Sequence, residues 1–170
     1  MASTQFLSGP FNSMYVGSAL ATGVALTQLT SVDTGDYVIN YQAPKSKFLR
    51  AANGYVITDF AKLTLTIAFI GDNAETVKLA MGNLLSVAQQ DQPPGNATYS
   101  IFLYDSIHSA SSIWIPKCQS VGGFSESRSK RNQTQIALTF SWEDRDNQIN
   151  LFYKRSNAAL KTLMGSQSPI

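Results

Sequence analysis

Several things that chemistry usually needs are scarce in this chain of 170 residues. It holds one cysteine, Cys118, and one histidine, His108. A disulfide framework is excluded, and so is a metal cluster built from Cys and His within one chain. Charge is thin as well: Asp, Glu, Lys and Arg make up 14% of the residues, against about 25% in ordinary soluble domains. The 13 Lys+Arg and 11 Asp+Glu leave a net charge of +2, too little for a protein that grips nucleic acid through its phosphates. Long apolar runs are missing too. The least polar stretch, residues 16–29, is broken by Ser18, Thr22, Thr27 and Gln28 and falls short of the ~20 apolar residues that span a bilayer. The first charged residue is Asp33, so the positive region that opens a secretory signal is not seen and the chain reads as cytosolic when made, with no membrane partner. Neither a G-x-x-x-x-G-K-[ST] phosphate loop nor a G-x-S-x-G nucleophile elbow occurs.

Apolar residues, by contrast, are plentiful: 44% hydrophobic and 11% aromatic, with a mean hydropathy of −0.08. Such a chain can bury a core and is not a disordered one. The length fits one domain, residues 1–170, which should bury roughly 70% of its unfolded surface. With few charges, the surface must be made largely of Ser, Thr, Asn and Gln, and such a surface either stays near neutral or becomes an interface.

Strand patterns dominate. Residues 62–69 place Leu63, Leu65, Ile67 and Phe69 on one face and Thr64, Thr66 and Ala68 on the other. Residues 134–142 do the same with Ile136, Leu138, Phe140 and Trp142 opposite Gln135, Ala137, Thr139 and Ser141. Residues 24–32 and 37–41 alternate more loosely around a turn at Asp33-Thr34-Gly35-Asp36. Residues 99–104, 113–121 and 148–154 complete the set, with Pro116 marking an edge or a bulge. One helix interrupts them. Asp72 is placed to cap it with Glu75 three residues on, Val77, Ala80, Met81, Leu84 and Leu85 share a face, and Gly82-Asn83 is the stop. Whether residues 84–90 continue that helix stays open. A short helix over residues 158–164 follows Asn157. Residues 1–15 read as an extended arm carrying Phe6, Phe11 and Tyr15 around Gly9-Pro10.

Sites for chemistry are few. His108 lies near Asp105 and Ser109, but Asp, Ser and His are common in a strand-connecting turn, and a triad is defined by geometry rather than by proximity in sequence. Glu143, Asp144 and Asp146 could ligate a hard cation, yet they lack EF-hand spacing and read as a plain acidic turn. Cys118 reads as a small apolar residue in or beside a strand. Asn96-Ala-Thr98 and Asn132-Gln-Thr134 match the glycosylation sequon only incidentally without a secretory route. No catalytic residue, cofactor or metal is expected, and the chain does not read as an enzyme.

Two stretches carry a family likeness. AKLTLTIAFIGDNAETVKLAMGN, residues 61–83, is a Thr-rich amphipathic strand, an acidic cap and a short Leu/Ala helix ending at Gly. SSIWIPKCQSVGGFSESRSKRNQTQIALTFSWEDRD, residues 111–146, is a strand ending near Pro-Lys, a Gly/Ser-rich connection and a strong alternating strand before an acidic turn. In order and pattern these resemble bacteriophage major tail tube proteins, which are related to contractile-injection tube proteins. The resemblance implies two packed antiparallel sheets, a sandwich or half-barrel, with a flanking helix. It implies hexameric rings stacked into a tube that lets double-stranded DNA pass without specific binding. The partners implied are the chain itself and other tail proteins (terminator, tape measure, baseplate or tip), in the virion tail after assembly in host cytoplasm. Residues 40–55 would be the long loop that bridges rings. Lys45, Lys47 and Arg50 would face acidic groups there, with Pro44 in the same loop and Phe48 and Leu49 docking in an apolar pocket. Phe6 and Phe11 of the arm would cover a neighbour. The basic run Arg128, Lys130, Arg131 has no interleaved aromatics to stack bases and is placed at an intersubunit or outward surface. The alternatives are a small-ligand-binding β-barrel, and a tail-terminator or injection-tube protein of the same fold.

Overall fold

One strand belongs to two sheets. In the computed structural model, which describes residues 13–19, 25–29, 33–70, 74–87, 89, 95–106, 112–131, 135–144 and 150–170, strand β8 spans Ser112–Ser127. Residues Ile113 to Cys118 pair antiparallel with β7 (Tyr99–Tyr104), and Gln119 to Ser127 pair with β9 (Gln135–Asp144). On the β7 side follow β1 (Ser13–Ser18) and the two-residue β2 (Thr27–Gln28), with β10 (Tyr153–Arg155) on the start of β8. On the β9 side follow β6 (Ala61–Ile70) and β3 (Asp33–Gln42). β4 (Lys45–Leu49) and β5 (Gly54–Asp59) pair with each other in a separate two-stranded sheet. The fold is therefore mainly β, with antiparallel sheets packed around one core and short helices α1 (Ala74–Ala80) and α2 (Asn157–Met164) beside them.

The passage of β8 between layers rests on two bulges. Ile101 opposes Ile115 but Tyr99 opposes Cys118, so the surplus residue falls at Pro116–Lys117. A proline has no N–H to give a ladder, so a bulge is where a strand tolerates one. The expectation for Pro116 holds. Further on, Val121 opposes Thr139 and Phe124 opposes Leu138, leaving Gly122 and Gly123 as the surplus. Bulges bend and twist a strand, and here they turn β8 from one layer into the other.

Alternation then builds the core. Met14, Val16, Tyr99, Ile101, Leu103, Ile113 and Ile115 face Leu63, Leu65, Ile67, Phe69, Ile136, Leu138 and Phe140, all buried. The Tyr99 ring meets Phe140 edge-on at 6.0 Å and 88°, a favoured aromatic geometry. The Tyr99 hydroxyl donates to the Asn83 carbonyl at 2.6 Å, which fastens the chain after α1 to β7. That α1 ends as the sequence implies. Gly82 has φ +72°, its N–H donates to Leu79 O and the Asn83 N–H donates to Lys78 O, the two bonds of a Schellman stop. A Cβ on Gly82 would lie 2.5 Å from the Gly95 carbonyl oxygen.

Local expectations change in several places. Of the expected face Val77, Ala80, Met81, Leu84 and Leu85, Ala80 is buried and Leu85 packs against the core, but Leu84 is exposed and the buried residues of α1 are Thr76, Leu79 and Ala80. A helix of seven residues buries its largest central apolar side chain, Leu79, and the stop at Gly82 prevents any continued stripe. Asp33-Thr34-Gly35-Asp36 is not a turn but the start of β3, with the extra residue absorbed in a bulge between Thr34 and Tyr37. Within residues 24–32 the described strand is only Thr27–Gln28, and within 148–154 only the part from Tyr153. The N-cap of α2 is Ser156, whose hydroxyl accepts from the Ala159 N–H at 3.3 Å. Residues 13–15, read as part of the arm, are in β1. Phe6, Phe11, Asp72, His108, Ser109, Asn132 and Asp146 lie outside the described residues.

Phe140 sits where both layers meet, so Phe140→Ala should lower unfolding free energy by about 3–5 kcal/mol, measured by urea denaturation.

Candidate functional site

β3 ends at Gln42 opposite Lys62, and β4 begins at Lys45 opposite Asp59. β3–β4 and β5–β6 are thus two arms of one antiparallel ribbon, interrupted only at residues 43–44 and 60. Inside the sandwich the ribbon is joined to β9; beyond it, among the described residues, β4 and β5 pair only with each other. The residues 40–55 expected as a loop therefore contain the end of β3, all of β4 and the start of β5. The sequence supplies the reasons. Pro44 cannot donate to a ladder and interrupts the ribbon there. Arg50–Ala52 make one 3-10 turn closed by Asn53 at φ 46°, whose N–H donates to Arg50 O at 3.1 Å; Asn tolerates that left-handed conformation better than most residues. At ~3.3 Å per residue, the hairpin projects about 17 Å.

Every residue of β4 is exposed. Phe48 and Tyr55 are cross-strand partners with rings 5.4 Å apart in an edge arrangement, and Tyr55 is 77% exposed. Leu49 and Val56 are exposed beside them. A two-stranded hairpin is marginal in water by itself, so this aromatic pair helps hold it while leaving apolar surface uncovered. Lys45 lies 3.9 Å from Asp59, both exposed, a contact worth little. Lys47 and Arg50 are exposed nearer the tip. At the hairpin's root, β3 pairs among the described residues with β6 alone, and Val38 and Tyr41 on it are exposed.

The basic residues Arg128, Lys130 and Arg131 follow the end of β8 and are exposed, with Arg128 ion-paired to Glu126. They are not brought to the hairpin: in the β8–β9–β6–β3 order they sit at the edge of Ser127, which pairs with Gln135, itself opposite Ile70 at the far end of β6. Glu143 and Asp144 belong to β9 rather than to a turn, and Asp144 is buried. Among the described residues no His, Cys, Asp and Glu group could hold a metal ion, and no helix is long and apolar enough to cross a membrane.

One feature escaped the sequence reading. Tyr15, Phe102, Trp114 and Tyr153 are successive register partners across β1, β7, β8 and β10. They form an aromatic row on the outer face of that sheet. Trp114 stacks on Tyr153 at 5.5 Å, Arg155 lies over Tyr153, and Leu160 and Met164 of α2 pack on the row with Leu26. Asn157 ties α2 down: its amide donates to Asp105 O at 2.9 Å and its Oδ1 accepts from the Ser112 hydroxyl. Strand parity within each segment was the available signal, but the pairing order that aligns the row was not.

Cys118 is buried with its thiol directed at the Tyr99 carbonyl, and burial raises the pKa of both the Cys118 thiol and the Tyr99 phenol. Such a thiol is inert rather than nucleophilic. No protein-family model matches the chain, and no curated protein matches it.

Two measurements follow from this geometry. Phe48→Ser with Tyr55→Ser should leave unfolding free energy within about 0.5 kcal/mol of the parent, because both rings lie outside the sandwich. The raised thiol and phenol mean that the folded state holds protons the unfolded chain releases. Stability should be fully present below the ordinary thiol value of 9.0 and fall as pH rises above it. Urea titrations at neutral and alkaline pH, repeated on Cys118→Ala, check the sign.

Proposed function

We propose that this protein is a structural subunit that assembles with copies of itself: a bacteriophage tail tube protein whose stacked hexameric rings enclose a channel for DNA. The single observation that carries the reading is the projecting β4–β5 hairpin, whose Phe48, Leu49, Tyr55 and Val56 are exposed and, among the described residues, have no third strand beside them. An open apolar hairpin and an open β3 edge are liabilities in a monomer and are covered when neighbours pair with them. The order of elements that resembles tail tube proteins supports the specific identity.

The mechanism is geometric. Open edges close a ring when the rotation between copies closes, and unlike ring faces allow stacking. DNA passes through by lack of grip: a net charge of +2 gives little phosphate attraction, and the Arg128–Arg131 run lacks a stacking platform. Such a subunit would work in the virion tail, meeting terminator, tape measure and baseplate or tip proteins, after assembly in host cytoplasm. A ligand-binding barrel is the weaker reading. The interior is filled by side chains, with Leu65, Ile67, Leu79, Ile101, Ile115, Ile136 and Leu138 at 0% exposure. A surface cleft lined by Val16, Leu26, Leu84, Leu85 and Tyr99 has about 220 Å³, and one lined by Tyr41, Pro44, Asp144, Leu151 and Phe152 about 450 Å³; both open at the surface rather than inside the strands, where a barrel holds its ligand. A terminator of the same fold would form a ring and stop.

Negative-stain microscopy of purified protein should show rings or hollow tubes; a persistent monomer at high concentration overturns the reading. Replacing residues 45–59 by a short Gly-rich turn should leave a folded subunit that no longer elongates. Tubes of normal length from that variant would remove the hairpin from the assembly.

A further inference from the structure

β9 carries an acid where its own alternation calls for an apolar residue. Ile136, Leu138 and Phe140 are buried and Trp142 packs against the same core, so the next residue of that row is Asp144. Asp144 is 6% exposed, and its cross-strand partner Ala61 is buried with it. Both lie at the end of the sandwich from which the β4–β5 hairpin emerges. A cleft of about 450 Å³ opens there, within the range of small-molecule sites. Asp144 and Leu151 are buried in its floor, whereas Tyr41 and Asn150 are exposed at its mouth.

Two aromatic rings form a wall of this cleft. Tyr41 shares a sheet face with its cross-strand partner Leu63, and its ring meets Phe152 edge-on at 5.7 Å and 61°. Tyr41 is still 51% exposed, so much of the ring remains uncovered. The described lining residues include one acid and no base. A buried carboxylate is costly unless a cation or hydrogen-bond donors oppose it, and aromatic faces attract cations. Asp144 is already engaged within the chain, but a carboxylate accepts at about four positions, which leaves capacity for a ligand. The same row of β9 already holds an ammonium on an aromatic face. The Lys117 Nζ lies 4.2 Å from the centroid of the Trp142 ring, and Trp142 is the inward neighbour of Asp144.

We propose that this cleft is a binding site for a small primary alkylammonium ion. The nitrogen donates to the Asp144 carboxylate and to the Asn150 side-chain carbonyl, and the methylenes lie against Tyr41 and Phe152. An ammonium brings three N–H donors and a charge to these acceptors. A neutral alcohol or polyol of similar size brings donors without the charge. The net charge of +2 disfavours cations over the chain as a whole, so selective uptake of one is local to the cleft. The site lies within a single subunit and goes beyond the assembly reading, on which it does not depend.

Isothermal titration calorimetry of the full chain with n-butylammonium chloride tests this, against sodium chloride at equal ionic strength. A dissociation constant of about 1 mM or tighter is expected, with 1-butanol and xylitol at least about tenfold weaker. Asp144→Asn keeps the shape and removes the charge, and should weaken butylammonium binding about tenfold or more. Tyr41→Leu should weaken it about threefold, and Tyr41→Phe should bind like the parent. Circular dichroism checks folding. Should Asp144→Asn unfold the chain, Tyr41→Leu and Asn150→Ala, both at exposed positions, decide instead, and each should bind more weakly than the parent. The site is overturned by the absence of heat beyond the salt blank, or by an alcohol or polyol that binds as tightly as the ammonium. Folded variants at Asp144, Tyr41 and Asn150 that all bind like the parent overturn it too. None of these results touches the assembly reading. A persistent monomer that binds butylammonium would instead remove assembly and uphold the site.

Discussion

The rest of the structure depends on β8 serving two layers. A chain with strands of ordinary length could close a sandwich only by separate connections between sheets. Here the backbone itself crosses, and hydrogen bonding continues from β7 to β9 through one 16-residue strand. The crossing needs surplus residues at Pro116–Lys117 and Gly122–Gly123. A strand that kept strict register through this point would hold both sheets in one plane and leave Tyr99 and Phe140 unable to meet. The bend brings those rings together, and burial of Leu65, Leu79, Ile101 and Leu138 follows from it.

Closing the core this way leaves other backbone unpaired. Among the described residues β9 and β6 each have neighbours on both sides, but β3 has only β6, and β4–β5 has no third strand. Edge protection by charge is weak along residues 37–42 of β3, which contain no Asp, Glu, Lys or Arg. A monomeric β protein usually guards such an edge with charge, a bulge or a covering loop. The bulge between Thr34 and Tyr37 guards only the beginning. Polar but uncharged surface is costly for a protein that must stay monomeric at high concentration. It suits one whose neighbours are identical copies, since no fixed charge then has to be desolvated at each contact.

Legibility in the sequence divided along the same physical line. β6 and β9 each have one buried face, so period-two alternation named Leu63, Leu65, Ile67, Ile136, Leu138 and Phe140 as core without any tertiary knowledge. Pro116 announced a bulge because its missing N–H has few other places in a strand. The bulge at residues 34–37 was read as a turn because Asp, Gly and Asp favour turns and bulges alike; only pairing with β6 distinguishes them. In β4–β5, both faces are exposed, so Lys45, Lys47, Phe48 and Leu49 show no burial period and the hairpin read as a loop. The aromatic row is a different failure: each member was visible in its own strand, but β10 joins β8 at the segment β9 has left, and that is a property of topology.

Scarcity of charge, finally, raises the weight of each charge that remains. With 24 ionisable Lys, Arg, Asp and Glu side chains (13 + 11) in 170 residues, chance cancellation across a surface is incomplete, and placement decides the local field. Several of these charges are held near a partner of opposite sign, as Lys45 is by Asp59 and Arg128 by Glu126. Such pairs contribute little stability when exposed, yet they remove stray attraction. What the ribbon then presents is an apolar hairpin with Lys47 and Arg50 exposed toward its tip. An apolar contact alone has no direction, and a charge pair alone has little affinity in salt. Together on one hairpin they would give the proposed contact between copies both affinity and direction.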